Sequence, residues 1–366
     1  MTDLSLLIVE DDQTQIDSYN FNIEDFNEEN DHSITVTTAT NFEAAQKLID
    51  EHDFDSAVID LKLDTQSPDK FAGLELIELI TNKARCPVIV LSANPENVPE
   101  GAKTVMTLER TTEFKTVLNT FICIKKSGLT DIMKRTGIIE KALNSIYWDN
   151  IIPNIDKWLQ YTENGEDTVK PLLRLTVNHL LQLLEDGKRS LPEEMYIRPP
   201  MNQSLRTGSI IKNKEHSNAF VVLSPECDLV LRPNGKMKTD HILICGIDTN
   251  LTKLYNEEIS KSGKSEGNSK KKKSVIENYI KNNQGINYHW LPETSFFTGG
   301  VIQFRDVHSC TFTEYTENFE KPEFQISSPF IKNILSRFSA YYSRQGQPDF
   351  DFKNLAKSEF TKISAQ

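Results

Sequence analysis

The chain has 366 residues, of which 38% are hydrophobic, and a formal net charge of −12 at pH 7. This length favours two domains with packed cores. Because the sequence has no 18-residue apolar run and no basic, apolar leader, we expect no membrane span and no secretion signal. The five cysteines are odd in number and scattered, which favours reduced thiols in a cytoplasmic protein over a disulfide framework.

The first 125 residues alternate short apolar runs with helix-like segments. Leu6–Val9, Ala57–Ile59 and Val88–Leu91 predict buried strands, and the residues between them have helical periodicity. Strands that alternate with helices predict a parallel α/β sheet. This part of the chain is also acidic, with 24 Asp or Glu against 9 Lys or Arg.

Polar residues follow each of these predicted strands: Glu10 and Asp11 the first, Asp60 the second and Ser92 the third. Ligand sites of parallel sheets form at the carboxyl ends of the strands, so we expect these side chains to converge. Carboxylates suit Mg²⁺, and with a cation nearby Asp60 suits nucleophilic attack on a phosphoryl group. Asp12 is assigned to the start of a helix rather than to the metal.

Three motifs in this order resemble the receiver domain of two-component response regulators. They are Leu-Ile-Val-Glu-Asp-Asp at 7–12, Val-Ile-Asp-Leu-Lys-Leu at 58–63 and Pro-Val-Ile-Val-Leu-Ser-Ala at 87–93. The resemblance implies a phosphoacceptor domain over residues 1–125, with Mg²⁺ as cofactor. The implied roles are phosphoacceptor for Asp60, Mg²⁺ ligands for Glu10, Asp11, Asp60 and the backbone carbonyl of Lys62, and switch hydroxyl for Ser92.

One position departs from the pattern of that family. Receivers carry a Lys at the end of the fifth strand, where it pairs with the phosphoryl group, whereas this sequence offers Glu109 or Arg110. Arg110 would replace the cation, because a guanidinium binds phosphate well. Glu109 in the same place would disfavour phosphorylation, so an unphosphorylated pseudo-receiver scaffold stays an alternative. Pro95 and Pro99 leave room for only a short fourth helix.

Residues from about 128 to 186 predict three helices, punctuated by Pro153 and by the polar stretch 162–167. Their aromatic and leucine stripes, which include Trp148 and Leu173, are interpreted first as core and second as a dimerisation or partner surface.

From about Ile197 the pattern changes to short apolar runs bounded by Gly, Pro, Asn and Asp, which predict a small β-barrel or twisted sheet. A helix is predicted from Pro329 to Tyr342. The run from Lys261 to Lys273 has six Lys and one Glu and predicts a solvated insertion.

The predicted fold class is therefore α/β with a second, β-rich part. A doubly wound parallel five-stranded receiver occupies 1–125, a helical connector 126–190, and a β-rich, small barrel-like α+β domain 191–366, with a flexible Lys-rich insertion near 258–275.

A group of reactive side chains lies in the β-rich part. Cys227 and Asp228 follow one predicted strand, and His241 and Cys245 lie four apart on the next, where they would share a face. Zinc binding or a Cys-His nucleophile would require these residues to meet. The close cysteine pairs of structural zinc sites are absent, and ordinary core cysteines are the favoured interpretation.

The leading functional prediction is a response regulator that takes a phosphoryl group from a sensor histidine kinase onto Asp60. It would signal through contacts with a protein output partner or serve as a phosphate reservoir, with phage defence as a context by analogy and a homodimer as an option. A receiver-gated enzyme or nucleic-acid effector is the alternative. Nucleic acid is not an expected partner, because no basic recognition helix is evident.

Overall fold

The computed structural model describes residues 2–61, 72–98, 104, 106–183, 189–200, 204–261, 269–344 and 349–364. The chain divides into two compact units, Met1–Gly187 and Lys188–Gln366. None of the described helices is long and apolar enough to cross a membrane.

A parallel five-stranded sheet forms the centre of the first unit, as predicted. Its strands are β1 (Thr2–Val9), β2 (His32–Ala39), β3 (Ser56–Asp60), β4 (Val88–Ser92) and β5 (Met106–Glu109). The strand order is β2-β1-β3-β4-β5, which is the order of a doubly wound sheet. The order in which successive strands are added changes direction at β1, while all five strands run parallel. The carboxyl ends of β1, β3, β4 and β5 therefore lie on one edge.

Helices cover both faces of this sheet. They are α1 (Gln13–Glu29), α2 (Phe42–Glu51), α3 (Ala72–Lys83) and α4 (Phe114–Lys126). Alternate residues of β1 point to opposite faces: Leu6 and Ile8 pack with α1 and α4, whereas Leu7 and Val9 pack with α2 and α3. Between β4 and β5 the described residues hold one short 3₁₀ turn, Pro95–Asn97, in agreement with the predicted short helix.

A run of helices continues the first unit. It comprises α5 (Leu129–Met133), α6 (Ile138–Ser145), a π-helix (Ile146–Ile151), a 3₁₀ turn (Ile152–Asn154), α7 (Ile155–Glu163) and α8 (Val169–Gln182). The change of helix type around Pro153 has a simple cause, since proline has no N–H to donate to the residue four positions earlier. The prediction that the apolar stripes here are core is wrong: α6, α7 and α8 contain no buried residue.

An antiparallel sheet, curled into a half-barrel, forms the second unit. Its strands are β6 (Tyr196–Ile197), β7 (Ser209–Lys212), β8 (Ala219–Val222), β9 (Ile242–Asp248), β10 (Tyr288–Leu291), β11 (Gly300–Cys310) and β12 (Phe324–Ile326). The order is β10-β11-β9-β8-β7-β12-β6. The register of β11 against β9 shifts between Ile302 and Val307, and such bulges bend a strand and add twist. The barrel-like prediction is confirmed.

Six α-helices and a 3₁₀ helix (Pro192–Met195) accompany the curled sheet among the described residues. The α-helices are α9 (Glu226–Leu229), α10 (Leu251–Lys261), α11 (Ser269–Ile280), α12 (Phe312–Asn318), α13 (Ser328–Tyr342) and α14 (Phe352–Ser364). Ile331 and Ile334 of α13 pack on one face of the sheet, and Tyr315 of α12 packs on the other. The predicted Lys-rich insertion near 258–275 is helical at its two ends, because α10 and α11 extend into it; residues 262–268 lie outside the described residues.

Candidate functional site

Five polar side chains emerge at the carboxyl edge of the parallel sheet. Glu10 and Asp11 follow β1, Asp60 and Ser92 are the last residues of β3 and β4, and Arg110 directly follows β5. Register explains the arrangement, since Asp60 lies beside Leu91 and Ser92 lies beside Glu109 in neighbouring parallel strands. Parallel strands therefore bring together residues that are up to 100 positions apart in the chain.

Three carboxylates in this group are close enough to share one ion. One oxygen from each of Glu10, Asp11 and Asp60 lies within 4.8 Å of the others, and no other group of three His, Cys, Asp or Glu in the described part of the chain meets this condition. Glu10 and Asp60 are buried, at 2% and 4% exposure, whereas Asp11 is accessible to solvent. The cluster thus reaches solvent through Asp11.

Arg110 supplies the cation of this group. Its guanidinium forms an ion pair with the Asp60 carboxylate and lies 3.5 Å from a Glu10 oxygen. The side chain of Glu109 is exposed and accepts a hydrogen bond from Thr111. Of the two residues that the sequence left open for this position, Arg110 therefore contacts the carboxylates and Glu109 does not.

Burial makes Glu10 an unusual acid. Desolvation, together with the nearby negative charge of Asp60, raises the pKa of Glu10 from 4.5 to about 7, against the opposing effect of Arg110. A carboxylate oxygen of Glu10 also accepts a weak hydrogen bond from the backbone N–H of Asp12, at 3.3 Å. One guanidinium thus leaves three clustered carboxylates under-neutralised, which is an environment that favours an additional cation.

The composition of the group fits Mg²⁺. Hard cations prefer oxygen ligands, and Mg²⁺ in particular is bound through one to two carboxylates with water and phosphate in the remaining positions. The fourth implied ligand, the carbonyl of Lys62, lies outside the described residues. Asp12 has the role assigned to it from the sequence: its side chain accepts from Thr14 N–H and caps α1.

Ser92 is buried at the end of β4, at 7% exposure. Its Oγ accepts a hydrogen bond from the backbone N–H of Asn94 at 3.1 Å. The carbonyl of Ser92 also accepts from the backbone N–H of Arg110 at 3.0 Å. The hydroxyl and the arginine are therefore held on adjacent strands of the same edge.

Tyr19 is a neighbour of the site that the sequence reasoning missed. It lies on α1, its ring stacks on Phe114 with centroids 4.4 Å apart, and its hydroxyl oxygen is buried without a hydrogen-bond partner among the described residues. Burial first, and then the negative charge of Glu10, raises the pKa of Tyr19 to about 12. In the sequence, Tyr19 is indistinguishable from the other apolar positions of its helix, so no signal marked it.

The second group of predicted residues is not brought together. Cys227 is exposed on α9, and Asp228 forms an ion pair with Lys238 at 3.1 Å. His241 is exposed and precedes β9. Cys245 is fully buried in the core of the half-barrel, where its Sγ lies 3.0 Å from the carbonyl of Gln303. Cys245 is thus a core residue, and these four residues do not form a metal-binding group.

Comparisons with known proteins agree with the geometry of the first unit. Residues 6–107 match the family model of the response regulator receiver domain, and no family model matches the second unit. A search of curated proteins found no match.

Among solved structures, the chain is similar to receivers and response regulators, and the following are three of them. The CheY-like receiver domain from Methylobacillus flagellatus has 18% identity over 32% of this chain and 98% of that chain, with a TM-score of 0.27. CheY4 of Vibrio cholerae has 19% identity over 34% and 99%, with a TM-score of 0.27. TrrA from Thermotoga maritima, in complex with Mg(2+)-BeF, has 22% identity over 34% and 98%, with a TM-score of 0.26.

Proposed function

Since residues 6–107 form a receiver domain, we propose that this protein is a cytoplasmic response regulator that accepts a phosphoryl group on Asp60 from a sensor histidine kinase. The observation that carries the proposal is the cluster of Glu10, Asp11 and Asp60 at the carboxyl edge of the sheet, with Arg110 in contact with two of its members. All five cysteines are free thiols, which suits a reducing compartment.

In the proposed reaction, a carboxylate oxygen of Asp60 attacks the phosphorus of a phosphohistidine on the kinase. The new O–P bond makes an acyl phosphate, the N–P bond breaks, and its electron pair returns to the imidazole nitrogen. Arg110 stabilises the charge on the phosphoryl oxygens, and the buried position of Asp60 strengthens that attraction.

Glu10, Asp11 and Asp60 would hold Mg²⁺ at this edge. When bound, the ion supplies positive charge that offsets the repulsion between a carboxylate nucleophile and an anionic phosphoryl group. Glu10 would hold a cation through its ionised carboxylate.

Phosphorylation would change the contacts that Asp60 makes. Arg110 now pairs with the free carboxylate and would pair instead with the phosphoryl oxygens. The hydroxyl of Ser92 would donate to one of those oxygens and move toward the site. Both residues lie next to β5, so the change would reach the surface formed by β5 and α4.

We further propose that the signal leaves the receiver through contacts with a protein partner, or that the protein serves as a phosphate reservoir for another regulator. The sequence after residue 125 predicts no recognition helix with basic side chains on one face, which favours protein contacts over DNA contacts. A role in phage defence stays a prediction by analogy, and plaque counts on cells that carry wild type or Asp60→Asn would test it.

The test is intact-mass spectrometry after incubation with acetyl phosphate and Mg²⁺, with beryllofluoride binding as a check that does not depend on the donor. Wild type should gain one phosphoryl group, Asp60→Asn should gain none, and Asp17→Asn, an exposed acid of α1, should behave as wild type. Modification that persists in Asp60→Asn would refute the site assignment. If wild type shows no modification and does not bind beryllofluoride, the result would favour the pseudo-receiver scaffold, in which Arg110 permanently neutralises Asp60.

A further inference from the structure

The helices from Ile138 to Leu183, here named the 138–183 hairpin, lack a core of their own. In the described chain the long arm runs through α6, the π-helix, the 3₁₀ turn and α7. A turn at Gly165, whose φ is +81°, then reverses the chain into α8, which packs back on α6 and the π-helix. The hairpin buries one apolar residue, Ile146.

The apolar surface of α8 is too wide for the contacts that it makes. Its long polar residues recur every fourth position, at 170, 174, 178 and 182, and apart from Thr176 and His179 every other residue is apolar. At about 100° per residue, the polar residues form one stripe and apolar residues cover most of the remaining circumference. A helix that is apolar around most of its surface is normally buried.

Only one flank of that apolar surface is covered. Leu172 and Leu175, on the flank away from the ridge described next, are half-buried, and α8 contacts α6 and the π-helix. The other flank forms a ridge of residues four apart, and each is exposed: Val169 72%, Leu173 62%, Val177 44% and Leu181 48%. Ridges with this spacing pack into the grooves of a second helix.

The exposed area is large enough for a stable interface. Eleven large apolar side chains of the hairpin are 36% to 72% exposed; besides the four of the α8 ridge they are Ile138, Tyr147, Trp148, Ile155, Leu159, Tyr161 and Leu183. An aromatic side chain carries about 150–250 Å², so three half-exposed ones present roughly 300 Å². With the aliphatic residues, the total approaches the roughly 800 Å² that each partner buries in a standard interface.

We propose that the 138–183 hairpin is a homodimerisation surface and that its occupant is the same hairpin of a second copy. A two-fold axis brings the same surface of both copies together, so the ridge of each hairpin would cover the ridge of the other. Two such hairpins form a four-helix arrangement that covers both ridges. Eleven large exposed apolar side chains between Ile138 and Leu183 are more than the single ones that an ordinary surface carries.

The base of the hairpin is fixed to the receiver, so the dimer would join two phosphoacceptor domains. Glu140 of α6 forms an ion pair with Arg85 at 2.5 Å. Just before it, Arg135 pairs with Asp53 at 2.7 Å and also donates to the carbonyl of His52. The proposed dimer does not depend on phosphorylation, so its test is independent of the test of the proposed function.

The test is the mass of the full chain in solution, by light scattering and by sedimentation between 1 and 100 µM. Wild type should have twice the chain mass of 41.8 kDa. Leu173→Glu should raise the dimer dissociation constant at least 100-fold, and Val177→Ala, a milder change, by about tenfold. Phe21→Glu, at an equally exposed site on α1 (70%), is the matched control and should leave the dimer intact.

Circular dichroism of each variant separates loss of dimer from loss of fold, and Val177→Ala keeps the test valid should Leu173→Glu unfold. A monomeric wild type at 100 µM would overturn the proposal, as would a dimer that both hairpin variants leave unchanged. The helix α14 is a second apolar helix, with Phe360 71% and Ile363 72% exposed. If removal of residues 349–366 abolishes the dimer, the dimer contact would lie on α14 and the proposal would be overturned. A dimer that survives this removal would support the proposal.

Discussion

The two sheets of this protein place the residues that follow their strands in different ways. In the first unit all strands run parallel, so Glu10, Asp60, Ser92 and Arg110 emerge at one edge and make contact. In the second unit neighbouring strands run antiparallel, and the start of β9 lies beside the end of β8. In the second unit, two residues at the same edge of the sheet need not make contact. The direction of each side chain and the residue at which each strand begins decide which residues meet.

Cys245 and His241 show how these details separate a predicted pair. The assumption that the two share a strand face fails because β9 begins at Ile242, so His241 lies outside the regular pleat. Cys245 points into the core, where burial raises its pKa to about 12. A buried thiol of this kind is a poor nucleophile and a poor metal ligand.

Metal binding should give the largest difference between the carboxylate cluster of the first unit and the cysteine-containing group of the second. We expect Asp11→Ala and Asp60→Asn each to weaken Mg²⁺ binding by at least tenfold, because each removes one of three clustered carboxylates. Cys227→Ala should leave Mg²⁺ affinity unchanged, and the purified protein should contain no stoichiometric zinc. Calorimetric titration and elemental analysis provide the measurements. If the protein holds one zinc ion per chain and Cys227→Ala loses it, the group in the second unit would be a metal site, contrary to this prediction.

Removal of the guanidinium of Arg110 should have the next largest effect. Arg110→Ala should lower the rate of Asp60 phosphorylation by roughly 10²-fold, the size expected for loss of one preorganised donor. Arg110→Lys should recover most of the rate, since an ammonium in the same place still neutralises phosphoryl charge. Rates follow from intact mass at timed intervals with acetyl phosphate. Equal rates in wild type and Arg110→Ala would exclude Arg110 from the reaction.

Burial of charge in the first site should appear as a pH dependence of stability. The pKa of Glu10 is raised from 4.5 to about 7, so the folded protein binds this proton more tightly than the unfolded chain. Stability associated with Glu10 is therefore full below pH 4.5 and is lost as pH rises through 7.

The variant Glu10→Gln should remove that loss. Without metal, it should be more stable than wild type at pH 8 by roughly 1–3 kcal/mol, and nearly equal to it at pH 4.5. Urea unfolding in EDTA at several pH values measures the difference. Parallel curves for the two proteins would show that Glu10 ionises normally.

Cysteine replacement should give the smallest effects and should distinguish the two thiols. Cys245→Ala should lower the free energy of unfolding by about 1–2 kcal/mol, because it leaves a small cavity beside Phe304 in the core. Cys227→Ala, at an exposed site, should change it by less than about 0.5 kcal/mol. Thiol reagents should label Cys227 and Cys123 in the native protein and Cys245 only after unfolding.

The sequence alone determined the parallel α/β fold of the first unit and which polar residues follow its strands. Apolar runs of strand length, each followed by Glu10, Asp60 or Ser92, specify a parallel sheet and its active edge, because in such a sheet every strand ends on the same side. The three motifs also pointed to the receiver domain, and residues 6–107 match the family model of that domain.

Only the tertiary structure decided the remaining points. Adjacent residues Glu109 and Arg110 are equivalent candidates in sequence, and the direction of one side chain at the end of β5 separates them. The apolar periodicity of α8 shows that Leu173 prefers burial, but whether its own chain supplies the covering surface depends on how the helices pack. Periodicity is a local property, whereas side-chain direction and burial are set by contacts between distant residues.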